Sequence, residues 1–179
     1  SKAASRLNIL KVNKHFLSEL LSTEKHQGIA AKIRIDDYFD LKSSIDYLSQ
    51  TDGSLVLILD DLDDPRNIGA CLRTANATAV DMVALSRNRV NIDSPVIGKV
   101  SSGALQKSNI AVVSNISQFI DRIKEIGFWV YGTSDNSEVS YWDPSYKEST
   151  AIIVGSEGKG MRDLTKSKCD QVASILNYD

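Results

Sequence analysis

A dense run of polar residues, from Asp60 to Asn76, directly follows an apolar segment and carries side chains suited to acid–base chemistry and anion binding. Asp64 precedes Pro65, which predicts a helix that the aspartate caps and the proline begins. Helical spacing directs Arg73 outward, where it can hold a phosphate or stabilise a developing negative charge. A surface arginine paired with nearby acids is the alternative. The spacing places Ile68, Leu72, Ala75 and Ala79 towards the sheet, and Gly69, Arg73 and Asn76 in the opposite stripe.

A second candidate site is the glycine-rich segment from Gly155 to Met161, which follows the fifth apolar run of the sequence. Ligands bind at the carboxyl ends of strands in open α/β sheets, and glycines there allow backbone amides to approach closely. The segment is not a P-loop, because Met161 follows Gly160 where lysine is needed, and its glycine spacing differs from the dinucleotide fingerprint. It therefore predicts a small-molecule site, with a purely structural turn as the alternative.

The elements that must position these residues are five short apolar runs with helical patterns between them. Such alternation predicts an α/β fold with a parallel sheet covered by helices on both faces, because parallel strands need crossover connections. One crossover helix is predicted from Ser117 to Glu125, ending at Gly127. The predicted strands are Leu55 to Leu59, Met82 to Leu85, Ile110 to Val113, Phe128 to Tyr131 and Ala151 to Val154.

The chain length of 179 residues predicts one domain with an N-terminal appendage. Residues 36–54 read as a linker with one short helix, so we place the boundary near Gly53, giving segments 1–53 and 54–179. The net charge of −2 argues against wholesale electrostatic binding of nucleic acid. Residues 1–34 are nevertheless basic, which favours either an RNA-facing arm or a solvated helix: Lys2, Arg6, Lys11, Lys14, Lys25, Lys32 and Arg34 oppose Glu19 and Glu24.

The sequence shows no secretory signal and no apolar run long enough to span a membrane, so we expect a cytoplasmic protein without membrane association. Cys71 and Cys169 lie far apart without metal-ligand spacing, and we expect two buried or unreactive thiols, with a disulfide between them as the alternative. His15 and His26 lie outside both candidate segments, and a surface or linker role is expected for each.

The two candidate segments together, in this order, resemble the first two signature motifs of the SpoU or TrmH family of RNA 2′-O-methyltransferases. The resemblance runs from about His26 to Ile175 and is strongest in LILDDLDDPRNIGACLRTANA. Within this family, the sequence most resembles the branch that methylates a guanosine ribose in 23S rRNA. The resemblance implies S-adenosylmethionine as methyl donor, RNA as substrate, a C-terminal trefoil knot and a homodimer that completes the site. It also implies that residues 1–53 are a linker or the remnant of an RNA-binding domain.

The resemblance also assigns roles to individual residues. Arg73, Asn67 and Glu157 match the catalytic positions of the first two motifs, and Glu157 either orients Arg73 through a bidentate pair or reaches the substrate. No metal is required for methyl transfer from a sulfonium. The donor-binding residues implied by the resemblance are Thr133, Gly155, Glu157, Gly158, Ile175, Leu176 and Asn177.

The C-terminal residues depart from the family pattern, because after Ile175 only Leu176, Asn177, Tyr178 and Asp179 follow where the third motif is expected. This departure favours a non-catalytic interpretation as one of three alternatives that stay open. The chain is a tRNA 2′-O-methyltransferase, or a non-catalytic RNA-binding or ribosome-assembly protein with the same fold, or a different α/β enzyme that uses a nucleotide.

Overall fold

The computed structural model describes residues 9–21, 23–31 and 38–175. The chain forms two compact units, Ser1–Ile35 and Asp36–Asp179. The first unit contains helix α1, Lys14–Leu21, followed by a turn in which the buried His26 accepts the backbone N–H of Gly28 at 3.0 Å. His26 therefore has a structural role in this unit. The predicted boundary near Gly53 stays a prediction.

The second unit is built on a six-stranded sheet in the order β3-β2-β1-β5-β4-β6, and every pair of neighbouring strands is parallel. The predicted α/β fold with a parallel sheet is confirmed, and the five predicted strands are present within one or two residues. The sixth strand is not among the five predicted from apolar runs, because it has only three residues, of mixed polarity. The strands are β1 Leu55–Leu59, β2 Met82–Ser86, β3 Ile110–Val113, β4 Trp129–Thr133, β5 Thr150–Val154 and β6 Gln171–Ala173.

The described residues of this unit also form five helices and one 3₁₀ turn, and all of these except the first helix, which precedes β1, lie between strands. The helix predicted from Ser117 is confirmed and starts one residue earlier, where Asn115 caps it through its side chain. A helix that starts at Pro65, a short helix in residues 36–54 and a helical pattern after the glycine-rich segment were also predicted and are present. The helix that starts at Pro95 and the 3₁₀ turn were too short for a periodic pattern to predict them. The helices are α2 Leu41–Leu48, α3 Pro65–Ala77, α4 Pro95–Val100, α5 Ile116–Glu125 and α6 Asp163–Lys166, and the 3₁₀ turn is Ala104–Gln106.

The sheet is covered on both faces, as its strands require. Alternate residues such as Val56 and Ile58 point to the face where α2 and α5 contribute Leu48 and Phe119 to the main core. All five residues of β2 are buried, as expected for a strand with packing on both sides. Because all strands are parallel, their carboxyl ends lie at one edge of the sheet, where both candidate motifs follow a strand.

Helix α3 has the predicted cap and buried face, with two corrections. Ile68, Leu72 and Ala75 are buried as expected, but Ala79 lies beyond the helix, is exposed, and has a φ of +55°. Gly69 does not belong to an exposed stripe, because it is buried where α3 packs on α4, and a Cβ there would lie 2.7 Å from Val100 Cβ. A tight helix contact thus explains this glycine. The C-terminal trefoil knot stays a prediction.

Candidate active site

The loops that carry the two motifs meet because their strands are neighbours. Strands β1 and β5 pair in register up to Leu59 and Val154, and the next backbone N–H, from Asp60, donates to the Val154 carbonyl at 2.9 Å. The polar segment after β1 and the glycine-rich segment after β5 therefore start side by side. The sheet order, which local sequence patterns do not specify, brings the two motifs together.

A buried ion pair links the same two loops. Asp60 is 0% exposed, and its carboxylate accepts three hydrogen bonds from Arg162: from the backbone N–H at 2.9 Å, Nε at 2.9 Å and a terminal nitrogen at 2.5 Å. Hydrogen bonding to Asp60 raises the pKa of Arg162 above its ordinary value, so the guanidinium stays protonated. Sequence reasoning missed both residues, although an aspartate that directly follows a buried strand is a signal for such a pair.

The loop after β1 is held by a second ion pair. Asp61 has a φ of +60°, in the left-handed region that few non-glycine residues occupy. Its Oδ1 lies 3.0 Å from Nε of Arg89, but the angle falls outside hydrogen-bond geometry, so that this buried oxygen makes no hydrogen bond within the described residues. The loops that follow β1, β2 and β5 are thus fixed by charged side chains close to one another.

The amino end of α3 brings two predicted catalytic residues together. Asp64 caps the helix by accepting the N–H of Arg66 at 2.8 Å, which fixes the first turn. Asn67, in that turn, directs Nδ2 towards Glu157 Oε2 at 3.5 Å, the long limit of a hydrogen bond. The structure therefore joins the two motifs through Asn67 and Glu157.

The third predicted catalytic residue is placed elsewhere. Arg73 is exposed on α3, and it lies six residues beyond Asn67, about 9 Å further along the helix axis. Among the described residues it forms no ion pair within 4.0 Å, so the first of the two alternatives for Glu157, a bidentate pair with Arg73, is not formed within this single chain. Arg73 also does not line the cavity described below.

The glycine-rich segment forms a tight turn. Ser156 and Gly160 exchange backbone hydrogen bonds of 3.0 and 2.8 Å, which leaves residues 157–159 as an exposed tip. A Cβ on Gly155 would lie 2.1 Å from the carbonyl carbon of Gly160 and 2.2 Å from the backbone nitrogen of Met161. Only glycine fits at position 155, because the atoms in the way belong to the backbone.

A cavity of about 510 Å³ opens beside this turn, at the carboxyl ends of β4 and β5. Four predicted donor-binding residues line it, namely Thr133, Gly155, Gly158 and Ile175, whereas Glu157 does not. Leu176 and Asn177 lie outside the described residues. Five of the other lining residues belong to the predicted glycine-rich segment or adjoin it: Val154, Ser156, Lys159, Gly160 and Met161. Sequence reasoning missed the rest, which come from the loop after β4 and from α6: Ser134, Asp135, Asn136, Asp163 and Lys166.

Thr133 has its side chain fixed within the wall of this cavity. Its hydroxyl donates to the Ile153 carbonyl at 3.0 Å, which ties the end of β4 to β5. The neighbouring Gly132 packs against the next loop, because a Cβ there would lie 2.5 Å from Met161 Cε and 2.7 Å from Cys169 Sγ. The cavity wall is therefore close-packed.

The described residues give no support for a membrane-spanning helix or for a metal centre. No helix in that part of the chain has the length and apolar character needed to cross a bilayer. No group of three or more His, Cys, Asp or Glu residues within ranges 9–21, 23–31 and 38–175 is arranged to hold a metal ion.

Comparison with known proteins identifies the family. The SpoU rRNA methylase family matches residues 54–178, which include both motifs and the cavity. The chain belongs to the SpoU family. A Staphylococcus aureus protein assigned by name to the TrmH family of tRNA/rRNA methyltransferases is 40% identical over 153 residues, which are 85% of this chain and 62% of that protein. The chain thus spans less than two thirds of the length of this curated relative.

Solved structures share the SpoU fold at low sequence identity. The AdoMet-bound rRNA methyltransferase from Sinorhizobium meliloti superposes with a TM-score of 0.78 at 20% identity, over 99% of this chain and 66% of that one. A structure described as an RNA 2′-O ribose methyltransferase gives a TM-score of 0.67 at 23% identity, over 83% of this chain and 53% of the other. These likenesses confirm the fold.

Proposed function

We propose that this chain transfers a methyl group from S-adenosylmethionine to a ribose 2′-hydroxyl in RNA, with a guanosine of 23S rRNA as the substrate. Membership of the SpoU family supports the reaction class. The observation that carries the proposal is the cavity beside the turn at Gly155, where backbone atoms leave no room for a side chain. The choice of guanosine and of 23S rRNA rests on the resemblance of the first motif.

The residues around the cavity fit the proposed donor. Its volume of about 510 Å³ lies within the range of about 300–1,000 Å³ that is usual for small-molecule sites. Thr133, Gly155, Gly158 and Ile175 would hold the donor largely through their backbone groups, with Leu176 and Asn177 as further predicted contacts. When bound, S-adenosylmethionine supplies an electrophilic methyl group on its sulfonium sulfur.

The acceptor side has to align a ribose oxygen with the methyl carbon and remove the hydroxyl proton. The Asn67 amide, 3.5 Å from Glu157, orients that carboxylate, which can accept a hydrogen bond from the hydroxyl. A guanidinium is a cation with five N–H donors, so the role of Arg73 is to bind a substrate phosphate and stabilise the developing alkoxide. Glu157 and Arg73 thus have complementary tasks.

A homodimer completes this proposal, because Arg73 does not line the cavity of its own chain. A second copy would bring its Arg73 to the donor cavity of the first. Mixing an Arg73→Ala chain with a Gly155→Ala chain tests this arrangement, since only a mixed dimer unites an intact arginine with an intact cavity. Random mixing makes about half of the dimers mixed, and each mixed dimer has one intact site of two, so recovery of up to about a quarter of the wild-type activity is expected. No gain of activity on mixing would contradict the arrangement.

Transfer RNA is a second candidate substrate, because the Staphylococcus aureus relative is named for both tRNA and rRNA. The deciding experiment incubates the chain with tritiated S-adenosylmethionine and, separately, unmodified 23S rRNA, 16S rRNA and total tRNA. A 2′-O-methyl group is recognised because it makes the adjacent phosphodiester resistant to alkali. Alkali-resistant label in 23S rRNA alone supports the proposal, and label in tRNA alone would mean that the substrate is tRNA and not 23S rRNA.

The same assay distinguishes a methyltransferase from a non-catalytic RNA-binding protein. Binding of RNA and of S-adenosylmethionine without label in any RNA would contradict methyl transfer and favour a ribosome-assembly role. Stabilisation of the fold by ATP with magnesium, but not by S-adenosylmethionine, would favour a nucleotide-using enzyme. The predicted cytoplasmic location stays a prediction.

A further inference from the structure

A second cavity, of about 590 Å³, lies between α2 and α5 at the carboxyl ends of β2 and β3. Parallel strands place it at the same edge of the sheet as the methyl-donor cavity. Neighbouring strands are about 4.8 Å apart, so that β3 lies about 10 Å from β1, where the first motif begins. We name this cavity the α2–α5 groove and define it by Leu41, Lys42, Ile45, Arg87, Val112 and Arg122.

The α2–α5 groove has an apolar floor and a cationic rim. Its floor is formed by Leu41, Ile45 and Val112, and its rim carries Lys42 and Arg87, both exposed. Within residues 38–175 neither cation has an acidic oxygen within 4.0 Å. As far as the described residues extend, both can therefore contact an anionic ligand.

Three further charged residues line the groove beside these two cations, namely Arg122, Asp40 and Asp46. Arg122 pairs with Glu125 at 3.3 Å, but both side chains are more than half exposed, so this pair is weak. The Asp40 carboxylate is engaged as the cap of α2, where Ser43 donates from its backbone N–H at 2.8 Å and from its hydroxyl at 2.6 Å. Asp46 is the remaining acid among the residues that line the groove.

We propose that the α2–α5 groove binds a nucleotide of the substrate RNA that flanks the methylated ribose. The apolar floor suits a base or ribose face, and Lys42 and Arg87 suit the phosphates on either side. An RNA strand that crosses the carboxyl edge of the sheet would reach both cavities. This proposal rests on the proposed function, and it adds an RNA contact that lies outside both signature motifs.

The test measures binding of a 5′-fluorescein-labelled twelve-residue oligouridine by fluorescence anisotropy over a range of salt concentrations. The variant Lys42→Gln/Arg87→Gln is compared with Lys107→Gln/Lys147→Gln, which removes two exposed cations that precede β3 and β5 at the opposite edge. Each lost phosphate contact lowers the slope of log K against log salt by about 0.7 for a single strand. We expect the groove variant to bind the oligouridine at least about tenfold more weakly at low salt, and the magnitude of its slope of log K against log salt to fall by about 1.4. The control variant should keep the wild-type affinity and slope.

Several outcomes would overturn the groove assignment: no binding of the oligouridine by the wild type, equal affinity and slope in the two double variants, or competition by polyglutamate as strong as by unlabelled RNA. Calorimetric titration with S-adenosylmethionine accompanies each variant, and its affinity should be unchanged because neither mutated pair lines the donor cavity. Absence of methyl transfer with intact donor and RNA binding would contradict the proposed function alone. Intact methyl transfer with an unchanged groove variant would contradict the groove alone.

Discussion

Replacing Arg162 with methionine removes the charged partner of a fully buried carboxylate while keeping a side chain of similar length. Asp60 would retain only the backbone N–H of Arg162 out of its three hydrogen bonds to that residue. Removing one partner of a buried ion pair costs about 3–5 kcal/mol. The Arg162 side chain is 43% exposed, which lets water replace part of the lost interaction, so we expect about 3 kcal/mol, the lower end of that range.

The measurement is urea unfolding followed by far-ultraviolet circular dichroism, with the free energy of unfolding obtained by linear extrapolation. Asp60→Asn, which keeps the shape of the carboxylate without its charge, should cost about 1–3 kcal/mol. In the double variant the two losses should not add, because the residues act as one pair. The matched control is Arg122→Met, which removes a guanidinium from an exposed pair and should cost less than about 1 kcal/mol.

The donor cavity gives a second readout for the same variants. The Asp60–Arg162 pair joins the loop before α3 to the loop after β5, so its loss should also weaken binding of S-adenosylmethionine in calorimetry. Equal stability losses in Arg162→Met and Arg122→Met would refute the reasoning, and so would full additivity of Asp60→Asn and Arg162→Met. Either result would mean that the buried pair does not hold these loops together.

Three further perturbations test individual residues. Gly155→Ala should lower donor affinity at least about tenfold, because its Cβ meets backbone atoms at 2.1 Å, whereas Gly98→Ala, with no atom within 4 Å, should bind donor normally in the same calorimetric titration. Arg73→Ala should leave stability and donor affinity nearly intact and abolish transfer, and unchanged single-turnover methylation would remove Arg73 from the mechanism. Burial raises the pKa of Cys169 to about 11 from an ordinary value of 9.0. Its thiolate fraction at pH 8 should therefore fall about a hundredfold, and iodoacetamide should label it slowly until the pH approaches 11 or the fold is opened by urea, as mass spectrometry would show.

Several features of this protein could be predicted because they depend on neighbouring residues. The five main strands were predictable from continuous apolar runs, since a strand buried on both faces needs no polar residues. The start of α3 followed from Asp64 and Pro65, whose effects act within one helical turn. The donor cavity was predictable in part, because a glycine-rich turn after a strand such as β5 leaves Gly155 and Gly158 at its mouth.

The tertiary structure decided the features that join distant segments. Asp60 and Arg162 are 102 residues apart, and they pair because β1 lies beside β5, an order that no local pattern specifies. Helical spacing placed Gly69 in an exposed stripe, but the packing of α4 on α3 buries it. Strand β6 forms because it pairs with β4. The sequence by itself therefore determined the elements and the candidate motifs, whereas the sheet order decided which polar groups face each other, because long-range contacts depend on the whole packing.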